Sequence, residues 1–220
     1  MASITPISGS DFSTFDGGQY TSMVGSASSF NGEIFYVCIN NTGVVQSTDN
    51  GASWNTVYNN PGLTSIACSS DGSIVYAVLL GVGLFKSIDT GVSWNQVTFL
   101  PDNTLPGGSA NPESPTGGEF PGYTLDNIYQ IASDSTGDKL IMTTNAAASI
   151  YQSTDGGLSW SFLYAPPGYS TNPNAPTYVT SNADGSILYA ALNTNTISKT
   201  IIVSKDSGVT WSSIYMSNIT

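Results

Sequence analysis

The octapeptide STDNGASW at residues 47–54 recurs three times along the 220-residue chain. The further copies are SIDTGVSW at residues 87–94, STDGGLSW at residues 153–160 and SKDSGVTW at residues 204–211. All four fit the pattern S-x-D-x-G-x-[ST]-W, and the four tryptophans of the chain all lie within it. We call each copy a box. Such a repeat indicates that the chain is built from four copies of one structural unit.

The sequence around each box repeats as well. A short apolar segment precedes each box, and a pair of apolar segments separated by a turn signal lies further upstream. The turn signals are Asn31-Gly32, Asp71-Gly72, Thr136-Gly137-Asp138 and Asp184-Gly185. These pairs favour tight hairpins, because such turns require positive φ. With one more short strand after each tryptophan, every unit is predicted to hold four antiparallel strands.

A unit of about 40–50 residues with four antiparallel strands is typical of a β-propeller blade. We therefore predict an all-β chain that forms a β-propeller of about four blades, each with a box turn. The expected single domain spans residues 18–220, with blades at 18–60, 61–100, 101–165 and 166–220, after an N-terminal arm at 1–17. Either the ring closes at four blades or subunits complete one another, because open sheet edges are normally covered or paired.

Each box is predicted to be a structural turn between the third and fourth strands. The aspartate accepts backbone N–H groups, the glycine adopts a conformation that other residues resist, and the tryptophan packs on the sheet or the neighbouring blade. The four tryptophans are expected to occupy equivalent buried places, one in each blade. One carboxylate per box is too few for a calcium site, so we expect no metal and no other cofactor. The predicted structural residues are Ser47, Asp49, Gly51, Trp54, Ser87, Asp89, Gly91, Trp94, Ser153, Asp155, Gly157, Trp160, Ser204, Asp206, Gly208 and Trp211.

The four boxes resemble the Asp-box, or bacterial neuraminidase repeat, of sialidases and related β-propellers. The resemblance covers nearly the whole chain and implies a sialidase-like fold. It says little about function, because the same box occurs in xyloglucan hydrolases, sorting receptors, photosystem assembly factors and many surface proteins. Sialidases bind the substrate carboxylate with three arginines, and this chain has no arginine. The resemblance therefore implies the fold without the sialidase catalytic residues.

The composition excludes several classes of function. The chain has four lysines, no arginine and no histidine, against fifteen acidic residues, and its net charge is −11. Histidine-dependent catalysis and histidine-ligated zinc are therefore impossible. Nucleic acid is not an expected partner, because the chain lacks a basic surface. Membrane insertion is not expected either, because no apolar run approaches the ~20 residues of a spanning helix.

Cys38 and Cys68 each lie inside an apolar run, which fits either two buried thiols or a disulfide. The start of the chain lacks the features of a signal peptide. The low content of charged residues and the many small polar residues nevertheless favour an exterior protein. We expect it at a cell surface, in an extracellular matrix or on a virus particle.

Two segments rich in Pro, Gly and Asn differ between the repeats, at residues 101–123 and 166–176. Both are predicted to join the last strand of one blade to the first of the next, so they share one face. Aromatic rings stack on sugars and amides bind hydroxyls, and protein interfaces use the same residue types. The candidate binding residues are Phe120, Tyr123, Tyr169, Asn172 and Asn174.

The first hypothesis for function is a non-catalytic propeller that presents a binding or assembly surface to a neutral glycan, a protein partner or another copy of itself. An alternative is a self-assembling structural subunit of a fibre or shell. A second alternative is a glycoside hydrolase that uses an Asp/Glu pair. No pair stands out among the acidic residues outside the boxes, which include Glu33, Glu113 and Glu119, so we do not expect an enzyme.

Overall fold

The computed structural model describes residues 22–98, 128–144, 149–164, 177–192 and 200–215. Within these ranges all regular secondary structure is β-strand. The strands are β1 Met23–Ser28, β2 Phe35–Ile39, β3 Gly43–Ser47, β4 Asn55–Tyr58, β5 Leu63–Cys68, β6 Val75–Leu79, β7 Gly83–Ser87, β8 Asn95–Gln96, β9 Ile128–Ser133, β10 Leu140–Thr144, β11 Ile150–Ser153, β12 Ser161–Tyr164, β13 Thr177–Ser181, β14 Leu188–Leu192, β15 Thr200–Ser204 and β16 Ser212–Tyr215.

The strands form four sheets of four, and in each sheet the strands are antiparallel and follow the order of the chain. We number these sheets as blades 1 to 4, at residues 23–58, 63–96, 128–164 and 177–215. Four such sheets in succession are the blades of a β-propeller. The predicted fold class is therefore confirmed.

The turn between the first two strands of each blade has the predicted chemistry. Gly32, Gly72, Gly137 and Gly185 have φ of 72°, 74°, 81° and 69°, a region that glycine enters without steric cost. In blade 2 the Asp71 carboxylate accepts hydrogen bonds from the Ser69 hydroxyl at 2.6 Å and from the Ser73 N–H at 3.0 Å. We call this segment of each blade the hairpin turn.

The core lies between successive blades. All five residues of β6 are buried, and so are all five of β10. A half-buried strand would alternate between apolar and polar residues, but β6 is apolar throughout and β10 begins with three apolar residues, because a neighbouring blade covers each face. One cluster joins Tyr36 and Val44 of blade 1 to Ile66 and Val75 of blade 2, and two further clusters join blade 2 to blade 3 and blade 3 to blade 4.

Contacts between blades run in chain order. The first strands pack in the series β1 with β5, β5 with β9, and β9 with β13. Among the described residues, β13 and β1 make no contact of comparable extent. Among the described residues the four blades therefore form an arc, in which blades 1 and 4 each have one face that no other described blade covers, here called the end face. No helix in the described ranges is long and apolar enough to cross a membrane.

Cys38 and Cys68 are not bonded to each other, so the disulfide alternative is wrong. Cys38 is buried, and its thiol lies 3.8 Å from the carbonyl of Ser65. The expected N-terminal arm at residues 1–17 and the segments at 101–123 and 166–176 lie outside the described residues.

Candidate functional site

All four boxes form the same hydrogen-bonded turn. The serine hydroxyl donates to the aspartate Oδ1 over 2.7–2.8 Å and accepts the glycine N–H over 2.8–2.9 Å. The carboxylate also accepts the N–H of the Ser or Thr at the seventh position over 2.8–2.9 Å, and its hydroxyl over 2.5–2.6 Å. The indole N–H donates to the glycine carbonyl over 3.0–3.1 Å. Every named residue of the box thus takes part in the turn.

The box turn contains two consecutive residues with positive φ. The glycine has φ of 83–93° in the four boxes. The residue before it is Asn50, Thr90, Gly156 or Ser207, with φ of 59°, 60°, 69° and 56°. A left-handed conformation at Thr90 or Ser207 is strained, and it persists because the surrounding hydrogen bonds fix it. The sequence did not reveal this second position, since only one box has glycine there.

Three of the four tryptophans are less buried than predicted. Trp160 is 7% exposed, whereas Trp54, Trp94 and Trp211 are only partly buried. Packing against the previous blade is nevertheless observed, because the Trp94 ring lies 5.0 Å from that of Tyr58, centroid to centroid. The four tryptophans therefore occupy equivalent places, as expected, but the expected burial is wrong for Trp54, Trp94 and Trp211.

The hydrogen bonds lower the pKa of the box carboxylates. The hydroxyl and the N–H of Ser53 and the hydroxyl of Ser47 lower the pKa of Asp49 from 3.8 to about 2, and equivalent groups lower that of Asp206 to about 2. Burial raises the pKa of Asp155, but its bonds from Ser159 outweigh this effect. A general acid needs a raised pKa, so the box carboxylates are poor candidates for acid catalysis.

Carboxylates in the hairpin turns are engaged in the same way. Asp134 is 5% exposed and accepts bonds from the Thr136 hydroxyl and the Gly137 N–H. Hydrogen bonds from serine also lower the pKa of Asp71 and of Asp184. Within the described residues, no group of three acidic or cysteine side chains lies close enough to hold a metal ion.

A groove runs along the first strands of all four blades. It is a cavity of about 310 Å³, open to solvent. Its lining is formed by Gly25, Ser26, Ala27, Ser65, Ile66, Ala67, Cys68, Gln130, Ile131, Ala132, Ser133, Val179 and Thr180. These described lining residues include no charged and no aromatic side chain. We call this feature the axial groove.

The polar groups of the axial groove fall into two sets. Ser65 is buried, and its hydroxyl accepts the Ile131 N–H at 3.1 Å, which links blade 2 to blade 3. Ser26 and Thr180 are exposed, and Ser133 is partly exposed. The groove thus offers neutral hydroxyl groups on a close-packed backbone. A Cβ at Gly25 would lie 3.4 Å from the Ile66 N, so the first strands of blades 1 and 2 approach closely there.

Cys68 lines the groove but is a poor nucleophile. Burial raises the pKa of its thiol to about 11, and the nearby Asp71 carboxylate adds to the effect. The thiol is therefore protonated near neutral pH, and the thiolate is the reactive form.

The predicted binding residues Phe120, Tyr123, Tyr169, Asn172 and Asn174 lie outside the described residues, so their role stays a prediction. Sequence reasoning missed the axial groove. Its residues carry no motif, and they belong together only because the first strands of four distant segments meet at one axis.

No protein-family model matches the chain, and a search of curated proteins found no match. Solved structures with a similar fold include the GH74 enzyme of Niastella koreensis, with 16% identity and a TM-score of 0.56, over 88% of this chain and 30% of that one. YCF48 from Cyanidioschyzon merolae has 13% identity and a TM-score of 0.58, over 90% and 57%. A chain of a nidogen–laminin complex has 14% identity and a TM-score of 0.60, over 88% and 64%.

These similarities are to β-propeller proteins, and at such low identity they show the fold alone. The chain spans less than two thirds of the length of each of the three structures. The three include an enzyme and proteins named without an activity, so function has to be argued from the residues of this chain.

Proposed function

We propose that the chain is a non-catalytic propeller of the Asp-box type that binds a protein partner through its axial groove. The observation that carries the proposal is the neutral, hydroxyl-bearing lining of that groove at the meeting point of all four blades. Extended backbone from a partner presents N–H and C=O groups, which such hydroxyls satisfy. A structure similar in fold comes from a complex of nidogen with laminin, which supports a protein as the kind of partner.

A protein partner fits the groove better than a glycan does. Sugar rings bind by stacking on aromatic faces, and the described lining has none. The glycan hypothesis therefore depends on Phe120, Tyr123 and Tyr169. We further propose that the protein acts outside the cell, at a cell surface, in a matrix or on a virion, where a sparsely charged exterior suits a long-lived binding module.

The rival function is glycoside hydrolysis, and a GH74 enzyme is similar in fold. Such enzymes need one carboxyl group with a raised pKa and a second carboxylate nearby. Turn hydrogen bonds stabilise the charged form and lower the pKa of Asp49, Asp71, Asp89, Asp155, Asp184 and Asp206. We therefore expect no release of reducing ends from xyloglucan or other neutral polysaccharides.

The binding proposal is tested by comparing the chain with two tryptophan variants. Ser26→Trp fills the groove from an exposed position of β1, whereas Asn55→Trp places the same side chain on the fourth strand of blade 1. Both are screened against a library of uncharged peptides and against a glycan array. We expect peptides that bind the parent chain and Asn55→Trp but not Ser26→Trp. Capture of glycans alone, or binding that survives Ser26→Trp, would overturn the proposal, and polysaccharide cleavage would establish the hydrolase instead.

A further inference from the structure

At all three internal junctions a glycine of the hairpin turn of one blade packs on the preceding blade. Gly72, Gly137 and Gly185 are buried at these junctions. A Cβ on Gly72 would lie 3.1 Å from Cδ1 of Ile34, and one on Gly137 would lie 3.1 Å from Cγ2 of Ile74. At Gly185 the close neighbour is Cδ of Lys139, at 2.9 Å. Each turn therefore packs tightly on its neighbour at a glycine, where a side chain would force the neighbour to move.

Hydrogen bonds repeat along the same junctions. The N–H of Phe30 donates to the Ser70 carbonyl at 2.7 Å, that of Ser70 to the Ser135 carbonyl at 2.8 Å, and that of Ser135 to the Ala183 carbonyl at 2.7 Å. This series forms a continuous ladder across the four hairpin turns. Because every rung pairs the donor of one blade with the acceptor of the next, one donor must remain at blade 4 and one acceptor at blade 1.

The end face of blade 4 presents the unused donor half of this junction. Tyr189 occupies the strand position of Tyr36 and Tyr76, as its cross-strand pairing shows. Tyr36 and Tyr76 are fully buried and donate to the next hairpin turn, whereas Tyr189 is 41% exposed. Within the described part of the chain, neither the Tyr189 hydroxyl nor the Ala183 N–H has a hydrogen-bond partner.

Blade 1 presents the acceptor half. Gly32 holds the position of Gly72, Gly137 and Gly185 and has a similar φ, but among the described residues a Cβ there would meet only Cζ of Phe35 of its own blade, at 3.9 Å. The carbonyls of Gly32 and Phe30 have no hydrogen-bond partner among the described residues. Deeper on the same face Val45 is already buried, so the proposed contact is confined to the hairpin turn at its rim.

We propose that the chain associates head to tail with a second copy of itself, with the hairpin turn of blade 1 docked on the end face of blade 4. One molecule carries both halves of a junction whose backbone hydrogen bond it makes three times internally and whose tyrosine bond it makes twice, which favours a second copy as the occupant. In the docked state Tyr189 donates to the Gly32 carbonyl of the copy, and the Ala183 N–H donates to its Phe30 carbonyl. Gly32 then packs on Ile187, as Gly72 does on Ile34.

The inference goes beyond the proposed binding function and uses different residues, so either one can fail alone. A head-to-tail contact is heterologous, and it gives a closed ring or an open filament according to the rotation between copies. The groove of each copy stays lined by the same first strands in either case.

The test measures the mass of the full chain by sedimentation over the accessible range of concentration. Gly32→Ala adds a methyl group where the proposal places Ile187 of the copy. Its matched control is Gly81→Ala, because Gly81 has φ of 75° against 72° at Gly32, and a Cβ there meets nothing within 4 Å. Both variants carry the same backbone strain, so thermal melting should shift equally in the two.

We expect the parent chain and Gly81→Ala to associate above the single-chain mass of 22.9 kDa, and Gly32→Ala to do so at least about tenfold more weakly. Ile187→Glu should weaken association from the other half of the contact. Gly32→Ala keeps the blade 4 half intact, and Ile187→Glu keeps the blade 1 half intact. Mixing these two variants should therefore give a pair with one native interface. A parent chain that stays monomeric, equal association of the two glycine variants, or a mixture that does not pair would overturn the proposal.

Discussion

The Tyr36 hydroxyl donates a 2.7 Å hydrogen bond to the carbonyl of Gly72, in the hairpin turn of the following blade. Tyr76 repeats this bond to Gly137 at 2.8 Å. Blade 3 joins blade 4 differently, because the Lys139 ammonium donates to the Asp184 carbonyl at 2.8 Å. A polar anchor between a strand or turn of one blade and the hairpin turn of the next therefore holds each junction, alongside its apolar core.

Removing one such anchor should destabilise the fold. Tyr76→Phe leaves the Gly137 carbonyl buried without a donor, whereas the Gly156 carbonyl keeps the Lys86 ammonium at 3.3 Å. We expect a loss of about 1–3 kcal/mol in the free energy of unfolding, measured by urea denaturation at a concentration where the chain is monomeric. Tyr189→Phe is the matched control and should change it little. Equal effects of the two variants would show that the interblade bond contributes nothing.

The buried hydroxyl of the box should matter in the same way. Ser87 is fully buried, donates to Asp89 and accepts the Gly91 N–H. Ser87→Ala leaves that N–H unsatisfied, so we expect a cost of about 1–3 kcal/mol in urea denaturation. Ser28→Ala, at an exposed position of β1, is the control and should be near neutral. If Ser87→Ala and Ser28→Ala change the free energy of unfolding equally, the Ser87 hydroxyl does not stabilise the box.

Acid should destabilise the protein through the box carboxylates. The pKa of Asp49 and of Asp206 lies near 2 in the folded chain, below the ordinary value of 3.8. A lowered pKa stabilises the fold fully above the unfolded value, and this contribution is lost as the pH falls through 3.8 towards 2. Urea midpoints measured from pH 6 to pH 2 should therefore fall mainly below pH 4. A midpoint that is constant across that window would contradict the hydrogen-bonded turns.

The blade and its turns could be predicted from the sequence because their signals are local. A box holds its serine, aspartate, glycine and tryptophan within eight residues, and the dipeptide Asp71-Gly72 alone marks the hairpin turn of blade 2. The positive φ of Thr90 and Ser207 could not be predicted, since neither residue type favours it. There the hydrogen bonds of the folded box outweigh the local preference.

Relations between blades could not be predicted from the sequence. Tyr36 and Gly72 are 36 positions apart, and only the pairing register of two sheets shows that the hydroxyl reaches the carbonyl. The axial groove is similar, because Ser26 and Thr180 come from the first and the last blade. The exposure of Tyr189 likewise depends on the absence of a following blade in the described chain.

Salt should separate groove binding from head-to-tail association. Each copy carries a net charge of −11, so two copies repel, and screening should strengthen their association as ionic strength rises. Binding of an uncharged peptide in the neutral groove should change little over the same range. Sedimentation and peptide titration at low and moderate salt measure the two effects on one sample. Association that weakens with salt would mean that ion pairs hold the copies together. This result would contradict the proposed junction, because Tyr189, Ala183 and Gly32 form no ion pairs.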